Sequence, residues 1–382
     1  MIARRQFLST AACGAGALFV APGLALATVP TERRFVFIIQ RGAADGLDIL
    51  RPVGDPAFAG LRSQLVGSGV PGTKLDAMFT LHPALDQIGR MYGTGQALFL
   101  HAVASPYRDR SHFDGQNVLE TGGMQPYVVR DGWMNRLVAM LPRTTDEAIA
   151  IASTVPTALR GAIQVASFAP SALPHVADDL MTRVTALYDA DPQLHAPWAA
   201  ALETRGLGGD LGARQDPASL GRLTASFLTK PNGPRIAMLE TLNWDTHSAQ
   251  ARRLSNQLKN LDALVAALRD GLGAAWATTT VLVATEFGRT ASVNGTGGTD
   301  HGTGSVAMLV GGTVKGGRVI ADWPGLAASS LYEQRDLRPT SALDALIAGA
   351  VAESLMLDPE RVRRGLFTQV TGERPMRGLL HV

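Results

Sequence analysis

Cysteine is almost missing from this chain: Cys13 is the one thiol in 382 residues. A single thiol excludes an intramolecular disulfide and any cysteine-built zinc finger or ribbon, so a bound metal must be held by oxygen and imidazole ligands. An excess of either charge is missing too. Lys and Arg number 35 against 33 Asp and Glu, a net charge of +2, and charged residues make up only 18% of the chain. That balance argues against a dedicated nucleic-acid binder, because gripping a phosphate backbone needs clustered cations. Beyond the N-terminus no stretch approaches the roughly 18 uninterrupted apolar residues of a membrane span. What is present is a 46% hydrophobic content. At this length it supplies a real core and excludes a disordered chain.

The first 27 residues stand apart. Arg4-Arg5-Gln6-Phe7-Leu8 precedes an apolar, Gly/Ala-rich run from Ala11 to Leu26, with Ala25-Leu26-Ala27 at its end. A basic start, a short apolar stretch and small residues two apart are the pattern of a cleaved secretory signal. The paired arginines followed by Gln-Phe-Leu fit twin-arginine export, which carries folded proteins. Gly14, Gly16 and Pro22 interrupt the run and argue against an uncleaved anchor. Removing residues 1–27 takes away Arg4, Arg5, Cys13 and no acid, which cancels the net charge and leaves no thiol. The expectation is a periplasmic or secreted protein without a stable membrane span.

Phe35-Val36-Phe37-Ile38-Ile39 is apolar without alternation, as a strand buried on both faces should be. Similar runs lie at 97–100, 236–239, 280–284, 306–310 and 319–321. Helical patterns fall between them at 83–92, 113–121, 133–141, 177–188, 217–228, 248–272 and 341–355. The clearest places Leu254, Leu258, Leu261, Leu264, Val265 and Leu268 on one stripe. Strands alternating with amphipathic helices predict a doubly wound, mostly parallel α/β sheet covered on both faces. Residues 142–226, rich in Ala and Pro with few strand signals, read as a helical cap inserted in one domain spanning 28–382. The Gly-rich stretch 206–215 reads as a surface connection, and 290–298 as a mobile loop beside a site.

Ligands of an open parallel sheet bind beyond the carboxyl ends of its strands. There the sequence places Asp45, Asp245 with His247, Glu286 with Arg289, and Asp300 with His301 just before the run 306–310. Carboxylates and imidazoles on converging loops suit a divalent metal such as Zn²⁺, Mn²⁺, Mg²⁺ or Ca²⁺. Arg108-Asp109-Arg110-Ser111-His112 leads into a helix whose free N–H groups favour an anion. Ser111 beside a metal would be a nucleophile, with Arg110 and Arg289 holding developing charge. Each position also has a structural reading. Ser111 could be an N-cap, with Asp114 as its capping-box partner. Asp45 could hold a tight turn, His247 could begin the long helix after it, and Glu286 with Arg289 could be an ion pair bracing their loop. His82 and His101, at element edges, read as structural, and His175 and His195 receive no role.

The motifs at 41–47 (Arg-Gly-Ala-Ala-Asp-Gly-Leu), 81–85 (Leu-His-Pro-Ala-Leu), 110–114 (Arg-Ser-His-Phe-Asp), 244–247 (Trp-Asp-Thr-His), 286–290 (Glu-Phe-Gly-Arg-Thr), 298–302 (Gly-Thr-Asp-His-Gly) and 314–318 (Val-Lys-Gly-Gly-Arg) occur in one order. In combination they resemble the domain-of-unknown-function family 1501, exported bacterial proteins similar to the alkaline phosphatase and sulfatase superfamily. The resemblance implies an alkaline-phosphatase-like core with a metal centre at its carboxyl edge. It aligns Asp45 with a first-strand metal aspartate, Ser111 with the nucleophile, and Asp245, His247 and His301 with the ligands of one metal. Glu286 stands where an Asp-His pair is usual, and Phe287 cannot ligate, so a second metal would be weak, absent, or held by His112 instead. The implied function is an exported metal-dependent hydrolase of a small-molecule phosphate or sulfate ester. The alternative is a non-catalytic exported binding or assembly protein that keeps the fold and pairs with another exported protein.

Overall fold

The apolar runs assemble into one sheet, and its carboxyl edge collects the segments that carry Asp45, His112, Asp245, His247, Glu286 and His301. A computed structural model describes residues 32–66, 71–142, 148–169, 178–189, 191, 195, 198–199, 216–369 and 373–381; the export signal expected at 1–27 lies outside them. The main sheet has nine strands: β1 (Arg34–Gln40), β2 (Ala97–Ala104), β3 (Ala148–Ile151), β4 (Ala166–Ser167), β5 (Ile236–Thr241), β6 (Thr279–Thr285), β7 (Ser305–Val310), β8 (Arg318–Ile320) and β9 (Ser341–Ala342). Their order is β8-β2-β7-β6-β1-β5-β3-β4, with β9 beside β2. Every pairing is parallel except those of β7, which runs against both β2 and β6. That reversal matters for function. The connection from Glu286 to Gly304 leaves β6 and enters β7 at the same edge, so the residues before β7 join those that follow β1, β2 and β5.

The sheet is mostly parallel and flanked by helices on both faces, as expected. The flanking helices are α1 (Asp86–Gly93), α2 (His112–Thr121), α3 (Trp133–Met140), α4 (Pro217–Leu228), α5 (Gln250–Leu272), α6 (Leu343–Leu355) and α7 (Pro359–Leu366). Strand β1 is buried throughout, and its side chains divide by parity. Phe35, Phe37 and Ile39 pack with α3 and α6, where Trp133 meets Phe37 edge-on at 5.3 Å between ring centres. Val36 and Ile38 pack with the leucine stripe of α5. Each such buried side chain contributes about 1.5–3 kcal/mol, and truncating Leu258 to alanine would cost about 2–5 kcal/mol.

Helix α4 begins where its signals put it: Asp216 accepts from the Ser219 N–H at 3.0 Å, and Pro217 occupies the first turn. It lies so close to α5 that a Cβ on Gly221 would sit 2.3 Å from the Leu264 carbonyl oxygen. The segment 142–226 is therefore not helical throughout. Ala148–Ile151 and Ala166–Ser167 extend the sheet as strands: the first is buried beside β5, and the second is half-buried as the edge. Residues 170–177 and 200–215, including His175 and the whole Gly-rich connection, lie outside the described residues. No helix among the described residues is long and apolar enough to cross a membrane.

Candidate metal centre

Three histidines, one opening α2 and two on separate loops, turn one ring nitrogen each toward a single carboxylate oxygen. Asp245 Oδ1 lies 3.0 Å from His247 Nε2, 3.3 Å from His301 Nε2 and 3.5 Å from His112 Nε2. His247 Nε2 and His301 Nε2 are themselves 2.9 Å apart. The opposite nitrogen of each ring faces an acceptor. His112 Nδ1 is 2.9 Å from Glu286 Oε1, His247 Nδ1 is 3.0 Å from Asp300 Oδ1, and His301 Nδ1 is 2.9 Å from the Arg110 carbonyl oxygen. Those oxygens accept, so each Nδ1 donates and each Nε2 is left with a lone pair. An oxygen acceptor behind each imidazole is the usual outer support of a metal-ligating histidine.

The residues fit a divalent ion on two grounds. His112 Nε2 is buried and has no hydrogen-bond partner among the described residues, a costly arrangement unless something else meets its lone pair. The donor atoms of His112, Asp245 and His301 also all lie within 4.8 Å of one another. Bonds of 2.0–2.1 Å in a tetrahedral site separate neighbouring ligand atoms by about 3.3 Å, and the Asp245–imidazole separations of 3.0–3.5 Å bracket that value.

Local structure explains how the loops reach this point. The backbone at Arg110 is left-handed, φ 64°, which turns its carbonyl to His301. Gly42, at φ 116°, lets the loop after β1 pass so close that a Cβ there would lie 2.6 Å from the Asp245 nitrogen. Phe287, which cannot ligate, is instead a floor: its ring stacks on His112 at 5.1 Å and lies 5.5 Å from His301. The loop 290–298 lies beside the site but is not loose. Asn294 donates to the His247 carbonyl and to Asp300 and accepts from Thr296 and Gly298, closing the loop on itself.

Electrostatics follow the same contacts. Burial opposes charge on His112, but the hydrogen bond and charge of Glu286 outweigh it and hold the imidazole above its ordinary value. Burial, with the charges of His112 and Arg289, pushes His301 below it. Burial works against Asp245 and Glu286 as carboxylates, yet Arg289 in the first case and His112 and Gln116 in the second keep both below the usual range.

Several expectations are corrected. Asp45 is not among the gathered ligands. Its buried carboxylate pairs with Arg62, accepts from the Gln250 amide and caps the turn Gly46–Ile49 through the Leu47 N–H, which uses its lone pairs in the core. Glu286 points its Oε1 at the Gly42 N–H, His112 and Gln116 and its Oε2 at the Thr285 hydroxyl, so it orients His112 rather than offering a free ligand oxygen. Arg289 is fully buried and donates to the carbonyls of Ala43, Thr299, Gly42 and Trp244 as well as to Asp245; it ties loops together and holds Asp245. Arg110 directs its guanidinium away, onto Asp336 and Glu333.

Ser111 opens α2 without a side-chain cap, so its capping-box reading with Asp114 is not realised; its N–H donates to the Tyr107 hydroxyl at 3.0 Å. His82 and His101 are structural, as read: His82 Nδ1 accepts from the Ala84 N–H, and His101 is held between the Leu50 carbonyl and the Ala102 N–H. Asp300 acquires an orienting role that its sequence position beside His301 did not assign. The signal was there, because adjacent residues in extended chain point opposite ways, so Asp300 serves His247 while His301 faces the centre.

The fold and this cluster define a class: an α/β protein with a histidine–aspartate cluster suited to a metal at the carboxyl edge of its sheet. A family model described as a protein of unknown function, DUF1501, matches residues 102–362, and the chain belongs to that family. No curated protein matches the chain significantly. Among solved structures it is similar to the C-terminal periplasmic domain of EcEptC from Escherichia coli in complex with Zn, at 9% identity and TM-score 0.39 over 74% of this chain and 73% of that one. It is also similar to Ps i-CgsB in complex with k-i-k-neocarrahexaose, at 12% identity and TM-score 0.42 over 87% and 74%. A third is the phosphonate monoester hydrolase of Agrobacterium radiobacter, at 10% identity and TM-score 0.30 over 75% and 70%.

Proposed function

We propose that this chain is an exported, metal-dependent hydrolase of small phosphate or sulfate esters, sent through the twin-arginine route to the periplasm or beyond. The observation that carries the reading is the convergence of three imidazole Nε2 atoms on Asp245, each imidazole backed by an oxygen acceptor. His112, Asp245, His247 and His301 would hold the ion. Once bound, a divalent ion would polarise an ester oxygen and lower the pKa of a neighbouring hydroxyl or water.

The chain's own groups do the rest. Ser111, next to His112, would supply the hydroxyl that attacks the phosphorus or sulfur and expels the alcohol, which leaves with a proton. Water would then hydrolyse the seryl ester, releasing phosphate or sulfate and restoring the hydroxyl, while Tyr107 fixes the backbone at that residue. Arg289 holds Asp245, while Glu286 and Asp300 fix the orientation and tautomer of His112 and His247. The full chain, purified and analysed for metal, is assayed on aryl phosphates and aryl sulfates beside Ser111→Ala and His301→Ala. Turnover that survives both substitutions overturns the proposal.

One observation favours a second reading, a non-catalytic exported binding or assembly protein that works with another exported protein. Arg110 and Arg289, the cations beside the centre, are both spent on internal acceptors. Metal retention without ester turnover, together with a co-purifying partner, supports this reading over the first.

A further inference from the structure

A cavity opens at the carboxyl edge of the sheet, at the ends of β2 and β9, with a volume of about 380 Å³. That is within the range of small-molecule sites. Part of its wall is apolar, formed by Ala104, Pro106, Met124 and Pro339. Its charged lining is Asp344, Glu373 and Arg108. Arg108 donates to the carbonyls of Ser105 and Tyr107, so its charge is turned onto its own loop.

Asp344 is the unusual member. It is only 9% exposed, and one oxygen accepts from the Ala345 N–H at 3.0 Å. Its remaining help comes from its own backbone N–H and, from farther off, from the Arg363 charge, but Asp344 forms no ion pair among the described residues and Arg363 pairs with Glu360. A carboxylate buried this far normally has a cation.

We infer that this cavity binds a small organic cation, an alkylammonium whose head sits between Asp344 and Glu373 and whose chain lies along Pro106, Met124 and Pro339. The acids supply the charge the head needs, and the apolar wall excludes a bare metal ion as the best occupant. Two further facts agree. Burial raises Asp344, and burial together with the charge of Asp344 raises Glu373. Both shifts disfavour the anions, most strongly for the buried Asp344, and a cation between the two acids would offset them. This inference does not depend on the metal centre.

The test is calorimetric titration of the full chain with n-butylammonium chloride, with butanol and sodium butyrate as controls. Saturable binding of the ammonium alone is expected, weakened at least tenfold in Asp344→Asn and severalfold in Glu373→Gln. His301→Ala should bind it as the unchanged chain does, which separates this site from the proposed metal centre. Glu373 is exposed, so its substitution should not endanger folding. Absence of saturable binding, equal binding of butanol, or unchanged affinity in Glu373→Gln and a folded Asp344→Asn would each overturn the inference.

Discussion

Removing His301 should abolish the stabilisation that a metal confers, and the size of the effect can be worked out. An ion that binds only the folded chain at one hundred times its Kd adds about 2.7 kcal/mol. The compact unit Thr31–Val382 has roughly 350 residues. At about 2.1 cal/mol/K of melting entropy per residue, 1 kcal/mol is worth about 1.3 °C, so the metal should raise Tm by about 4 °C. His301→Ala removes one donor 3.3 Å from Asp245 Oδ1 and 2.9 Å from His247 Nε2. If the affinity falls a hundredfold, the same metal concentration adds only about 0.4 kcal/mol, a shift under 1 °C. Glu286→Gln keeps every ligand but loses the carboxylate behind His112, and a tenfold loss leaves about 2 °C. The assay is thermal denaturation of chelator-treated protein with ZnCl₂, MnCl₂, MgCl₂ or CaCl₂ added in turn. A full shift retained in His301→Ala, or no shift with any of the four ions in the unchanged chain, refutes the reasoning.

Three other outcomes are expected. Arg62→Leu strands the buried Asp45 carboxylate without its cation and should cost about 3–5 kcal/mol in urea unfolding; Asp45→Asn should retain metal, which would be lost if Asp45 were a ligand. His101 is completely buried, and burial lowers its pKa to about 4 from an ordinary 6.5. Below pH 6.5 the unfolded chain therefore takes up a proton that the folded chain refuses, and stability falls until the pH reaches the folded value. The loss should be about 2 kcal/mol at pH 5, and urea titrations of His101→Phe should show a correspondingly flatter pH dependence. Gly42→Ala places a Cβ at φ 116° and against the Asp245 backbone, so it should destabilise by about 1–3 kcal/mol and weaken metal binding in the same thermal assay.

What could be read from the chain in advance depended on whether a signal was local. The run Phe35–Ile39 needs both faces covered wherever it sits, and α4 carries its own cap and proline, so both were legible. Ala148–Ile151 was not, because four residues of Ala and Ile have no period and become a strand only beside β5. Helix α7 carries a local signal as well, Asp358 capping Arg361 ahead of Pro359. The same division runs through the site. Histidines and acids at strand ends were recognisable by type, but the partner of each was not. Asp45 resembles a ligand until Arg62, on an unremarkable short helix, closes on it.

The reversed strand explains why one centre forms rather than two sets of scattered acids. Had β7 run parallel to β6, residues 286–304 would have had to cross the sheet, and His301 would have emerged at the amino edge, a strand length away from Asp245. Running antiparallel, β7 lets Glu286 and His301 belong to one returning loop. Its two ends approach so closely that a Cβ on Gly288 would lie 1.9 Å from the Gly304 carbonyl. The loop meets His112, which opens α2 after β2, and Asp245, which follows β5. Lengthening this return by a flexible insertion between Gly295 and Thr296 should therefore leave the sheet folded yet release Asn294 from the His247 carbonyl. Metal affinity should drop while the unfolding midpoint of the metal-free protein scarcely moves. If both fell together, the loop would be part of the core rather than the support of a site built on it.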